Sequence, residues 1–112
     1  MPDLVSNIKF NYEYRDAGGY RKAGSIVLVN SSGVKDCKQV ELQIREYLFD
    51  REFFYPYKLS VPLIHFDKWN RELDHDWYRF ESLEFTDEQK IDPRTFDVFL
   101  SDIRKLAQQP VI

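Results

Sequence analysis

An α+β domain with a single antiparallel sheet, in the order ββαββα with two helices packed on it, is predicted by three features of the sequence. Ile8, Phe10, Tyr12 and Tyr14 alternate with Lys9, Asn11, Glu13 and Arg15, the two-residue period of a half-buried strand. Asp16-Ala17-Gly18-Gly19 then offers residues that tolerate positive φ, and the chain continues into the apolar run Ser25-Ile26-Val27-Leu28-Val29. That combination spells a hairpin. Two later stretches repeat apolar residues every three or four positions, as amphipathic helices do. A hairpin alone is marginal in water, so these helices are expected to cover its apolar face.

Taken in order, the first strand is expected to start near Asn7, and Asn30-Ser31-Ser32-Gly33 is a turn cluster that ends the second. Asp36 opens the first helix, in which Cys37, Val40, Ile44, Tyr47 and Leu48 form one stripe while Lys38, Glu41 and Arg45 point outward. Leu42 and Phe49 fall about half a turn away as a second apolar stripe, judged at ~100° per residue. That stripe calls for cover, either by the last helix or by a partner chain. Pro56 and Pro62 forbid a continuous helix through the next segment, and a short, irregular third strand is expected within 59–66. Residues 69–76 read as an exposed loop.

The fourth strand spans 77–85. Tyr78 and Phe80 have one parity and Leu83 and Phe85 the other, so a bulge near Ser82 is needed to bring both sets to one core. Thr86-Asp87-Glu88-Gln89 fits a capping box for one helical turn, and Asp92-Pro93 marks the start of the last helix. Phe96, Phe99, Leu100, Ile103 and Ala107 give that helix a clean stripe, with Arg104 and Lys105 near its end and Pro110 stopping it. No repeat or linker interrupts the chain, so residues 1–112 read as one domain.

Composition narrows the function classes. Sixteen Lys and Arg against nineteen Asp and Glu give a net charge of −3, which argues against sequence-independent binding of nucleic acid. Between Asp67 and Glu88 eight acids face three bases, a patch suited to a basic partner or simply a solvated loop. Aromatics make up 16% of the chain, enough both to fill a small core and to furnish a binding face. The lone Cys37 permits no intrachain disulfide, the first ten residues lack a signal-peptide pattern, and no apolar run is long enough to span a membrane. A cytoplasmic address is the expectation.

Lys9-Phe10-Asn11-Tyr12 with Tyr14-Arg15-Asp16, then Tyr20 and Gly24-Ser25-Ile26-Val27, and later Asp74-His75-Asp76-Trp77, resemble a family of small uncharacterised bacterial proteins of about this length. The resemblance implies a bacterial or mobile-element origin and a single domain. It transfers no catalytic residue.

Three candidate sites follow from the residues. The segment Asp74-His75-Asp76, with His65 and Glu81, holds metal-ligating and acid-base side chains, and His65, Asp74, His75 and Asp76 are its candidate ligands. Adjacent residues of an extended segment point in opposite directions, so Asp74 and Asp76 converge while His75 turns away. The competing reading is a solvated loop ahead of a strand. At the hairpin, Tyr12, Tyr14 and Tyr20 with Arg15, Arg21 and Lys22 make an aromatic and basic set of the kind that stacks single-stranded nucleic acid. Tyr12 and Tyr14 share the parity of Ile8 and Phe10, however, and so belong to the core face. Cys37, in the first turn of its helix, is read as a core residue. Gly18-Gly19 and Gly24 do not form a phosphate loop, and no cofactor motif is present.

The sequence therefore favours a small non-catalytic interaction protein of the immunity, inhibitor or defence-associated type. Trp69, Asp74, Asp76 and Trp77 are its expected contact residues. Metal or acid-base chemistry at Asp74-His75-Asp76 is the alternative, and single-stranded nucleic-acid binding by the hairpin the third. Self-association, by pairing sheet edges or covering Leu42 and Phe49, is also expected.

Overall fold

In the computed structural model of the chain, residues 7–15, 19, 21–31, 33–61, 77–89 and 92–106 are described. They form β1 (Asn7–Arg15), β2 (Arg21–Leu28), α1 (Cys37–Arg45), β3 (Phe53–Phe54), α2 (Pro56–Leu59), β4 (Tyr78–Thr86) and α3 (Phe96–Leu106). The four strands make one antiparallel sheet in the order β2-β1-β4-β3. The α+β class and the single sheet are as the sequence predicts.

The alternation in β1 does what its period requires. Ile8, Phe10, Tyr12 and Tyr14 are at 1% exposure or less, and Ile26 and Leu28 of β2 and Tyr78, Phe80 and Leu83 of β4 are buried with them. Cys37, Ile44 and Leu48 from the α1 region, Leu59 from α2, and Phe96, Phe99 and Ile103 from α3 close the same core. The core is held largely by rings. Phe10 stacks on Phe80 and meets Phe99 edge-on, both at 4.9 Å, and Tyr12 stacks on Tyr78 at 5.8 Å. Such pairs add about 0.5–1.5 kcal/mol each beyond area burial.

The register of β1 against β4 runs from Asn7↔Thr86 to Asn11↔Ser82 and then jumps to Tyr12↔Phe80, leaving Glu81 as the extra residue. This bulge lies where the parity change placed it, and it turns Tyr78, Phe80 and Leu83 to one core. Phe85 does not follow them inside; at the end of the strand it is 40% exposed.

Several boundaries differ from the sequence reading. Among the described residues the third strand is Phe53–Phe54, ahead of Pro56; of the expected stretch 59–66, residues 59–61 form no strand and 62–66 lie outside the described residues. Two residues are too few to show a period. Pro56 instead opens the one-turn α2, where its missing N–H costs nothing, and Ser60 closes that turn in the left-handed region with φ 53°. Thr86 to Gln89 form no helical turn: the Thr86 hydroxyl accepts from the Glu88 N–H in a tight turn. Asp92 likewise accepts from the Arg94 N–H, and α3 starts only at Phe96, with the Thr95 hydroxyl accepting from the Val98 N–H. Asp36 caps α1 as read, accepting from the Lys38 and Gln39 N–H groups.

The outer edge of β4 is guarded by α1. Glu41 accepts from the Leu83 N–H at 3.0 Å and Arg45 donates to the Glu81 carbonyl at 3.3 Å. Both side chains were expected to point into solvent. They satisfy strand groups that the two-residue β3 is too short to reach.

Candidate functional site

The helices cover one face of the sheet. The other presents the odd-numbered residues of β1, and its β3 end is apolar. Directly after α1 the chain reverses through Asp50 and Arg51, both with positive φ, 53° and 59°, the pattern of a type I′ turn. Neither is glycine, so each position carries strain of order 1 kcal/mol. Arg45 holds the reversal by donating to the Arg51 carbonyl at 3.0 Å. Phe49 and Phe53 exchange backbone hydrogen bonds of 3.1 and 3.0 Å across it, which sets their side chains on one side.

Their rings lie 5.5 Å apart, Tyr55 is a further 5.5 Å from Phe49, and Trp77 meets Phe49 edge-on at 6.2 Å. Strand alternation explains the set. Phe54 is buried at 1% while its neighbours Phe53 and Tyr55 turn the other way, and Trp77 turns away from buried Tyr78. Phe49 is 41% exposed at the centre of this patch, and the Lys58 ammonium lies 5.2 Å from the Tyr55 ring. Phe49 thus belongs to a sheet-edge cluster, since α1 ends at Arg45 and the helical spacing from Leu42 no longer applies. Leu42 itself is 61% exposed, so α3 does not cover it.

Beside the patch on the same face, Phe53 pairs with Arg79, and Arg79 with Glu13. The Arg79 guanidinium bonds Glu52, Glu81 at 2.7 Å and Glu13 at 3.2 Å. Three carboxylates thus surround one guanidinium, with Arg15 reaching Glu13 at 3.4 Å from the outer side. The Glu52 hydrogen bond is the main reason the Arg79 pKa is raised, with burial acting the other way. Farther along lie Asn11 bonded to Glu84 at 2.7 Å and Lys9 paired with Glu88 at 2.7 Å. The face offers an aromatic anchor beside a carboxylate-rich surface.

Of the residues singled out in the sequence, Trp77 is in the patch. Trp69, Asp74 and Asp76, and the ligand candidates His65 and His75, lie outside the described residues. Among the described residues no group of three or more His, Cys, Asp or Glu side chains is placed to hold a metal ion. Tyr12 and Tyr14 are buried, which removes two of the three hairpin tyrosines from any stacking surface; Tyr20 is outside the described residues. Cys37 is 9% exposed, and burial pushes its thiol pKa up, the opposite of an activated nucleophile. Among the described residues no helix is long and apolar enough to cross a membrane.

Phe49, Phe53 and Tyr55, which form the cluster with Trp77, are not among the contact residues expected from the sequence. Their signal was present, in the alternation of Phe53, Phe54 and Tyr55 ahead of Pro56, but it spans three residues only.

No protein-family model matches the chain, and neither a curated protein nor a solved structure is detectably similar to it.

Proposed function

We propose that the protein is a non-catalytic interaction module that binds a partner protein through the aromatic β3 end of its sheet. Phe49 anchors the contact, and Trp77, Phe53 and Tyr55 surround it. The observation that carries this reading is the Phe49 cluster, three rings gathered at a sheet edge around Phe49, which is 41% exposed. Clustered aromatics at the centre of an interface dominate its binding energy. The carboxylates around Arg79 favour a partner whose matching surface is basic, which speeds encounter and fixes orientation. Inhibition or neutralisation of that partner, in the manner of an immunity or defence-associated protein, is the role this architecture serves with least machinery.

The test is affinity capture from lysate with the wild-type chain and with Phe49→Ala and Trp77→Ala. A hot-spot ring costs about 2 kcal/mol or more when truncated, roughly thirtyfold in affinity. Because Phe49 is already half out of the core, its loss is expected to deplete the captured protein while leaving the melting transition close to wild type. Capture at undiminished yield by both variants would remove the patch as the binding site.

A further inference from the structure

The opposite edge of the sheet leads to a different conclusion. In the unbroken β1–β2 register every odd residue of β2 directs its N–H and C=O away from β1: the Val27 carbonyl accepts from the Asp92 N–H at 2.6 Å, and the Val29 carbonyl from the Phe96 N–H at 2.9 Å. The segment leading into α3 thus closes the edge from Val27 onward. Upstream, the outward groups of Arg21, Ala23 and Ser25 meet no described residue, and all three residues are exposed. An open stretch of edge strand is a template for another strand.

We propose that β2 pairs with β2 of a second copy, antiparallel about a two-fold axis at Ala23, joining the two sheets into one of eight strands. The length of the edge and its charges suit a second copy and fix the register. Among the described residues the open stretch runs from Arg21 to Ser25, so Ala23 is its midpoint, and only pairing about Ala23 uses its whole length without meeting the Asp92 closure. In that register Arg21 faces Ser25 of the other copy, Ala23 faces Ala23, and each pair exchanges two backbone hydrogen bonds. Lys22 faces Gly24. Each cation thus stands opposite a small neutral residue, which avoids the like-charge facing that disfavours strand pairs. Interface symmetry of this isologous kind is the commonest in homo-oligomers. Five residues per copy bury less than about 1,200 Å², the low end for specific contacts, so the dimer is of the weak, concentration-dependent class.

Sedimentation of the full chain across a dilution series is expected to show a mass rising from one chain toward two; a single-chain mass throughout overturns the proposal. Ala23→Pro deletes the central outward N–H on an edge strand, where proline is tolerated, and is expected to abolish the dimer while keeping the monomer's far-ultraviolet spectrum. Register is read by cysteine pairing in a Cys37→Ser background under oxidised glutathione. Ala23→Cys places two Cα atoms about 5.5 Å apart, within disulfide reach, and is expected to cross-link with itself. Ser25→Cys is expected not to, but to cross-link with Arg21→Cys when the two are mixed. Equal self-linking by Ala23→Cys and Ser25→Cys overturns the register.

Discussion

Replacing Arg94 by alanine tests how the helical layer is fastened. This side chain, 17% exposed, reaches back from the start of α3 to bond the carbonyls of Leu59 at 2.6 Å and Ser60 at 3.2 Å, the last turn of α2. It also pairs with Asp92 at 2.9 Å and Asp102 at 3.3 Å, and its guanidinium carbon lies 4.9 Å from the Phe99 ring centre. Truncation leaves the Asp92 carboxylate, 12% exposed, with the Arg94 backbone N–H but no guanidinium, and removes the guanidinium from the Leu59 and Ser60 carbonyls. Breaking a buried ion pair from one side costs about 3–5 kcal/mol. Because Ser60 is exposed and Asp102 is 30% exposed, that range is discounted for solvent screening to about 2–4 kcal/mol. Urea unfolding should show that loss as a lower midpoint at unchanged slope. Arg94→Lys keeps the charge but not the planar fork, and should recover only part.

The loss also carries a pH signature. Burial works to raise the Asp92 pKa, but the Arg94 hydrogen bonds outweigh it and hold the carboxyl below its usual 3.8. Asp92 therefore contributes stability that is present above pH 3.8 and disappears as pH falls through its lower folded value. The difference between wild type and Arg94→Ala should shrink on acidification. A loss under about 1 kcal/mol at neutral pH, typical of an exposed pair, would refute the account of Arg94 as a clamp.

Two further predictions concern the sheet. A Cβ built on Gly24 would lie 2.7 Å from Tyr12 Cε2 and 2.9 Å from its Cζ, and Tyr12 is wedged between Phe10, Phe54 and Tyr78. Gly24→Ala should cost about 1–3 kcal/mol in chemical denaturation, as overpacking does, and a neutral result would show that the ring has room to move. Burial, with the neighbouring Tyr78 adding to it, pushes the Tyr12 phenol from 10.0 up to about 12. The folded state thus favours the neutral phenol. Its contribution is full below pH 10 and is lost between pH 10 and 12, about 3 kcal/mol in all. Tyr12→Phe should flatten that alkaline decline in unfolding measurements, and an unchanged decline would assign it elsewhere.

What the sequence made legible was whatever repeats along one element. The parity of β1, the Asp36 cap, the stripe of α3 and the phase change in β4 all appear in the structure because each is a local pattern answering to a single core. What it hid was settled by reversals that leave little local mark. Asp50-Arg51 is not the Asn-Gly pair that announces a type I′ turn, so Phe49 was assigned to the helix seven residues after Leu42 rather than to a sheet edge. Thr86 and Asp92 carry true helix-start chemistry, yet the same oxygens close tight turns where the chain leaves β4 and where it meets the edge of β2. Of the expected contact set, Trp77 alone falls among the described residues, and the patch around it came from pairing between strands distant in sequence.

The claim that a partner seats on the aromatic end of the sheet is tested most directly by amide hydrogen exchange of the chain with and without its captured protein. Slowed exchange confined to residues 49–55 and the start of β4 is the predicted footprint. Protection on the outer surface of α3, with 49–55 unchanged, would contradict it.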